Sequence, residues 1–169
     1  MNKFEKMLHY IVAKCGDRPN VGTKVLCKLC YFADFDHYEK NFRSITGHSY
    51  RKLSHGPIPV EYETHFLILE HIDDCIKKRT IKSGPYSQGR YVSLKEPDMS
   101  GFSLEEIATI DSVIRRYGHM NGKQIEEISH KDVPWIVANE GDIIDYGTVM
   151  YRDACTSVDP PHPEEGEGE

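Results

Sequence analysis

The sequence predicts a mainly α fold of the α+β class: a single helical domain with one small antiparallel β-hairpin, in a winged-helix-like order of elements. Apolar residues recur at three- and four-residue spacing in several segments. Two Ser/Asn-x-x-Glu/Gln patterns mark helix starts, and one pair of extended runs flanks a Gly-Pro turn. A length of 169 residues fits one core, and an aromatic fraction of 10% supplies the bulk to pack it.

Phe4, Met7, Leu8, Ile11 and Val12 share one face of a helix predicted over residues 3–15, with Gly16 as its stop. Asn20 is placed to cap a second helix running to about Glu39. In that helix Val25, Leu26, Leu29, Phe32 and Ala33 face inward while Lys24, Lys28 and Asp36 point away. The acid pairs Asp34 with Asp36 and Asp73 with Asp74 read as solvated. From Arg43 to Pro59 the pattern changes: Thr46-Gly47 and His55-Gly56-Pro57 are turn signals, so the segment reads as extended chain bent twice. Pro59 suits the first position of a third helix, with Val60, Phe66, Leu67, Leu69 and Ile72 on its buried side and an end near Asp74.

Residues 76–81 and 90–94 flank a turn region with Gly84-Pro85 and Gly89, which predicts the hairpin; its exposed positions Lys77, Lys78, Arg79, Lys82 and Arg90 are basic. Ser103 with Glu106 forms a capping box ahead of Ile107, Ile110, Val113 and Ile114, and Gly118 ends that helix. Asn121 with Gln124 repeats the pattern for a short helix through Ile125 and Ile128. Ser129 to Trp135 then reads as a break and restart, with Trp135 anchoring a core corner. A last short helix is expected around residues 146–152. The domain is predicted to span residues 1–155, leaving 156–169 as an acidic tail too poor in apolar residues to order itself.

Charge and motifs narrow the function classes. The net charge is −6, but residues 159–169 hold five acids and no bases. Residues 1–60 carry ten bases against five acids, and residues 61–158 eleven against seventeen. Helices followed by a basic hairpin resemble the order of a winged helix, so a DNA-binding transcriptional regulator is the alternative function. A near-neutral body and an acidic tail nonetheless oppose affinity built on counterion release, and nucleic acid is not the expected partner. Five scattered cysteines indicate reduced thiols. Cys27 and Cys30 have zinc-ligand spacing without a second ligand pair, and nine histidines form no HExxH motif. No nucleophile elbow, phosphate loop or dinucleotide fingerprint occurs. The expectation is therefore a protein that is not an enzyme, with no catalytic residue, metal or cofactor. His55, before Gly56-Pro57, reads as a bond to the turn backbone. No apolar run of membrane-spanning length and no signal peptide is present, so the cytoplasm is the expected location. Nothing in the sequence signals an oligomeric state.

One block of residues carries a family resemblance. Lys28-Leu29-Cys30-Tyr31-Phe32-Ala33-Asp34, His37-Tyr38, Ile45-Thr46-Gly47, Tyr50, Lys52 and His55-Gly56-Pro57-Ile58-Pro59, followed by Ile128-Ser129-His130-Lys131 and Pro134-Trp135, resemble the Panacea domain of SocA-like antitoxins. The likeness covers roughly residues 5–150, with Cys30 standing where an aliphatic residue is expected. What it implies is an antitoxin of a bacterial or prophage toxin-antitoxin pair. Such a protein neutralises its cognate protein toxin by direct protein-protein binding, either by blocking it or as an adaptor that passes it to a cellular protease. Tyr31, His37, Tyr38, Tyr50, Arg51, Lys52 and His55 are the expected partner-binding residues, because aromatics and bases around a kinked segment make good interface anchors. For each tyrosine the alternative is core packing with its hydroxyl bonded at the edge.

Overall fold

The chain opens with a helix whose start the sequence rules capture only in part. In this computed structural model, which describes residues 1–159, α1 spans Lys3–Cys15. Asn2 caps it: its side chain accepts the Glu5 N–H at 2.8 Å while the Glu5 carboxylate accepts the Asn2 N–H at 2.9 Å. Phe4, Met7, Leu8, Ile11 and Val12 are all buried, as their spacing predicts.

α2 (Thr23–Asn41) is the axis of the molecule. Gly22 rather than Asn20 holds its N-cap; the Asn20 amide instead reaches across to the carbonyls of Gly118 and Met120, 2.8 Å from each. Every residue from Val25 to His37 is buried, so of the expected outward residues only Lys24 keeps partial exposure. Lys28, Asp34 and Asp36, taken from spacing as outward or solvated, are 0%, 0% and 2% exposed. The reason lies in Cys27, Cys30, Tyr31 and Phe35, which extend the apolar surface around the whole circumference; a helix apolar on all sides is covered on all sides.

The stretch after α2 forms a second hairpin rather than merely bent chain. β1 (Tyr50–Leu53) pairs with β2 (Gly56–Pro59), in register from Tyr50 with Pro59 to Leu53 with Gly56. Residues 141–144 cover the other edge of β1: Lys52 N–H donates to Asp142 at 2.9 Å, Gly141 N–H to Lys52 at 2.8 Å and Ile144 N–H to Tyr50 at 2.8 Å. Pro57 and Pro59 offer no N–H along β2, which blunts that edge against further strand pairing. Pro59 thus ends a strand instead of starting a helix. α3 (Tyr62–Leu67) begins only after Glu61, whose φ of 57° turns the chain, and it runs on as a π-helical turn over Ile68–Ile72.

β3 (Ile76–Ser83) and β4 (Tyr86–Ser93) make the predicted hairpin. α4 (Leu104–Tyr117) and α5 (Gly122–Ser129) start at the Ser103–Glu106 and Asn121–Gln124 capping boxes, as expected. α6 (Val133–Val137) and a 3-10 helix (Tyr146–Tyr151) complete a mainly helical fold with two small antiparallel hairpins where one was expected. α4 lies against α2, with Tyr117 stacked on Phe32 at 4.5 Å. Thr156 is buried, and the N–H groups of Val158 and Asp159 donate to Glu39 at 3.2 and 3.0 Å, so the start of the expected tail is tied to α2. The rest of that tail lies outside the described residues. Among the described residues no helix is long and apolar enough to cross a membrane.

Candidate partner-binding surface

Lys28, Asp34, Asp36 and Glu39 of α2 are spent inside the molecule, in three buried clusters. Asp34 accepts from the Thr46 N–H at 2.8 Å, the Thr46 hydroxyl at 2.6 Å and the Tyr50 hydroxyl at 2.6 Å, which pins the bend after α2 and the first residue of β1 to the helix. Burial pushes the Asp34 carboxyl up to about 6, against the pull of the bonds from Thr46 and Tyr50. A folded-state value above the unfolded one means the protonated form is favoured by folding, so this group's stability contribution is lost as pH rises through 6. Wild type is therefore expected to gain about 1 kcal/mol relative to an Asp34→Asn variant when the pH falls from 7.5 to 5, measured by urea unfolding at both pH values.

The second cluster gathers around Arg152, whose side chain is 0% exposed. Its guanidinium donates to both oxygens of Asp132 at 2.9 and 3.1 Å, to Asp36 at 2.8 Å and to Glu39 at 3.0 Å. The Tyr31 and Thr156 hydroxyls complete the shell of Asp132. Burial opposes the charged guanidinium, but Asp132 and Asp36 hold its pKa well above the ordinary value.

The third cluster joins Lys28 to the β1–β2 turn. The Lys28 ammonium donates to the Pro57 carbonyl at 3.1 Å, and burial pulls its pKa down to about 8. Gly56, at φ 105°, sits so close that a Cβ there would lie 2.6 Å from Ser129 Oγ and 2.7 Å from Lys28 Cε. Gly56→Ala is expected to cost about 2–3 kcal/mol, from the left-handed backbone and the clash together, read as a lower denaturant midpoint at unchanged m.

With those side chains inward, the outer surface of the β1–β2 turn is built from what remains. Strand alternation puts Tyr50 and Lys52 on one face and Arg51 and Leu53 on the other. Arg51 pairs with Ile58 across the hairpin and bridges to Ile143 on its other side, so Arg51, Leu53, Ile58 and Ile143 stand together on the outer face. Leu53 is 38% and Ile143 47% exposed. Leu53, Ile58 and Tyr62 form a ridge between two grooves, of about 340 and 410 Å³, the larger of which runs to Thr23, Lys24, Cys27 and His55. Its floor is not a reactive thiol, since burial pushes Cys27 up to about 12.

The surface is braced from behind. Trp135 donates its indole N–H to the Leu53 carbonyl at 3.1 Å and stacks on His130, and the Lys52 ammonium lies 4.3 Å from the Trp135 ring centre. Arg51 donates to the Gly141 carbonyl at 2.5 Å. Among the described residues no three His, Cys, Asp or Glu side chains come together to hold a metal ion.

The model of the family described as Antitoxin SocA-like, Panacea domain, matches residues 26–136. The chain belongs to that family. No curated protein matches it in sequence. The matched part of the Panacea domain begins inside α2 and ends in α6. It therefore contains Lys28, Asp34, Asp36, Asp132 and the whole β1–β2 hairpin, while Arg152 and Thr156, which close the second cluster, lie beyond it.

Within this Panacea domain the expected partner-binding residues separate into two groups. Tyr31, His37 and Tyr50 are buried at 0%, 3% and 1% exposure, so they are core residues rather than surface anchors. Tyr38 is half-buried and stacked on Tyr146, 5.3 Å between rings. Arg51 and His55 are exposed and Lys52 is half-buried, all three on or beside the β1–β2 turn. His55 does not bond the turn backbone; its Nδ1 meets Glu126 at 2.7 Å. Sequence reasoning missed Glu39, Asp132 and Arg152. The all-round apolar character of α2 could have flagged Glu39 as buried, whereas nothing local marks Arg152.

Proposed function

We propose that this Panacea domain is the antitoxin of a toxin-antitoxin pair and neutralises a cognate protein toxin by direct contact through the outer face of the β1–β2 hairpin, without catalysis. Family membership supports the antitoxin role in general. The observation that carries the choice of surface is a segregation of side chains: Tyr31, Asp34, Asp36 and Glu39 of α2 are consumed inside, Lys52 lies on the inner face against Trp135, and Arg51 and His55 are left beside exposed Leu53 and Ile143 and half-buried Ile58. An apolar ridge with Arg51, Lys24 and His55 beside it and Glu61, Glu63 and Glu140 along its grooves, on a short sheet locked by three buried clusters, has the apolar centre and mixed-charge rim of a preorganised interface. Neutralisation by occupying the toxin's working surface needs nothing further from this chain.

The test is co-production with the product of the adjoining reading frame. That product alone is expected to arrest growth; with this protein present, growth returns and the two co-purify. Toxicity that persists in the presence of folded antitoxin contradicts the proposal. Neutralisation of the purified toxin in the absence of any protease distinguishes blocking from delivery to proteolysis.

A further inference from the structure

The β3–β4 hairpin meets Thr23 and Lys24, at the far end of the larger groove, through Ser87, Gln88 and Gly89, and it has a charge of its own. Residues 76–95 carry six bases and no acid, in a chain whose net charge is −6. The near-neutral average of the body conceals this segregation. Lys77, Lys78, Arg79 and Lys82 are exposed and Arg90 half-buried, and the ion pairs among the described residues use other cations: Lys3, Lys6, Lys24, Arg116 and Arg152, besides histidines. At its base Glu70 accepts the Lys78 N–H at 2.9 Å and the Asp73 carbonyl accepts from Lys95 at 2.7 Å, and Glu126, which is bonded to His55, shares a groove with Ser87, Gln88 and Gly89.

The register sharpens the point. Arg79 lies directly opposite Arg90, a like-charge cross-strand pair that weakens a hairpin on its own. Lys77 and Arg79 project from one face and Lys78 and Lys82 from the other; Arg90 donates to the Pro19 carbonyl at 3.3 Å, and Tyr91, opposite Lys78, is buried against Phe66, so it is the part of the ribbon beyond this packed base that is cationic on both faces. At the tip Tyr86 is 78% exposed. A single acidic protein surface or a lipid headgroup plane would meet one face of such a ribbon and leave the other uncompensated. A groove with phosphates on both walls meets both, and a two-stranded antiparallel ribbon fits the major groove of a duplex.

We propose that the β3–β4 hairpin is a nucleic-acid-binding ribbon that engages the phosphate backbones of a duplex, independently of the toxin-binding face. Lys77, Lys78, Arg79 and Lys82 make the phosphate contacts, and Tyr86 stacks or wedges at the tip. Binding of this kind carries little base specificity and falls steeply with salt.

The experiment uses the full chain and a fluorescently labelled DNA duplex of about 30 base pairs, followed by anisotropy from roughly 25 to 300 mM salt. Wild type is expected to bind with a log-log salt slope of about −4, as four phosphate contacts require. The variant with Lys77→Ala, Arg79→Ala and Lys82→Ala is expected to bind at least about tenfold more weakly at low salt, with a slope shallower by about 3 and an unchanged melting temperature. Its toxin neutralisation stays intact, which keeps this result separate from the fate of the antitoxin proposal. No duplex binding at low salt, or equal binding by wild type and variant, overturns the inference. So does binding to phosphatidylserine-containing vesicles without duplex binding, or loss of toxin binding in the variant without duplex binding; these assign the hairpin to a membrane or to the toxin.

Discussion

Arg152→Ala is expected to destabilise the protein by about 3–5 kcal/mol, a large part of the stability of a domain of this size. Arg152 is fully buried and holds three carboxylates, those of Asp36, Glu39 and Asp132, at 2.8 to 3.1 Å. Removing it leaves Asp36 and Asp132 buried, with Asp132 keeping hydroxyl donors and Asp36 only Arg116, at 3.3 Å. The cost comes from stranded charge rather than lost attraction, so it exceeds what a surface ion pair could contribute. The loss corresponds to a melting temperature lower by roughly 6–20 °C. Arg152→Lys is expected to fall between the two, since an ammonium keeps the charge but cannot form the fork to Asp132. Urea unfolding of the three proteins checks the order; an alanine variant as stable as wild type would show that the cluster is not under this constraint.

The second large effect is on binding. Leu53→Asp and Ile143→Asp each place a charge at the centre of the outer sheet face, where the native side chains are 38% and 47% exposed. Exposed substitutions of this kind cost the fold little, about 0.5 kcal/mol, yet a charge desolvated at an interface centre costs 2–4 kcal/mol of affinity. Toxin binding is expected to weaken by about 30- to 1,000-fold, with failure to restore growth on co-production. Arg51→Glu with Lys52→Glu is a poorer probe, because both side chains also brace the backbone at Gly141 and Ile136. Its effect mixes interface and loop.

These two predictions rest on a buried cluster and an exposed face, and the sequence distinguishes the two unevenly. α1, α4 and α5 are legible because their caps and apolar spacing are local: Ser103 with Glu106 and Asn121 with Gln124 bond as their pattern requires. The β3–β4 hairpin is legible for the same reason. α2 misleads because a single apolar stripe through Val25, Leu29 and Phe32 satisfies the rule for a surface helix, and the additional faces supplied by Cys30, Tyr31 and Phe35 go unweighed. The β1–β2 hairpin is hidden because its strands are four residues long, β2 holds two prolines, and β1 gains its other neighbour from residues 141–144, far along the chain. Burial of Tyr31 and Tyr50 follows from that long-range closure, which no local spacing encodes. The outer face is legible only once the register is known, since a one-residue shift would exchange Arg51 and Leu53 for Tyr50 and Lys52.

The most direct measurement is a methyl chemical-shift map of the isotope-labelled protein titrated with the toxin that the proposed function assigns to it. The Leu53, Ile58 and Ile143 methyl signals are predicted to shift or broaden on complex formation, while Ile81 in the β3–β4 hairpin and Leu29 within α2 stay in place. Unmoved Leu53, Ile58 and Ile143 signals in a complex that perturbs other exposed methyls would contradict the account, placing the toxin on a surface other than the outer face of the β1–β2 hairpin.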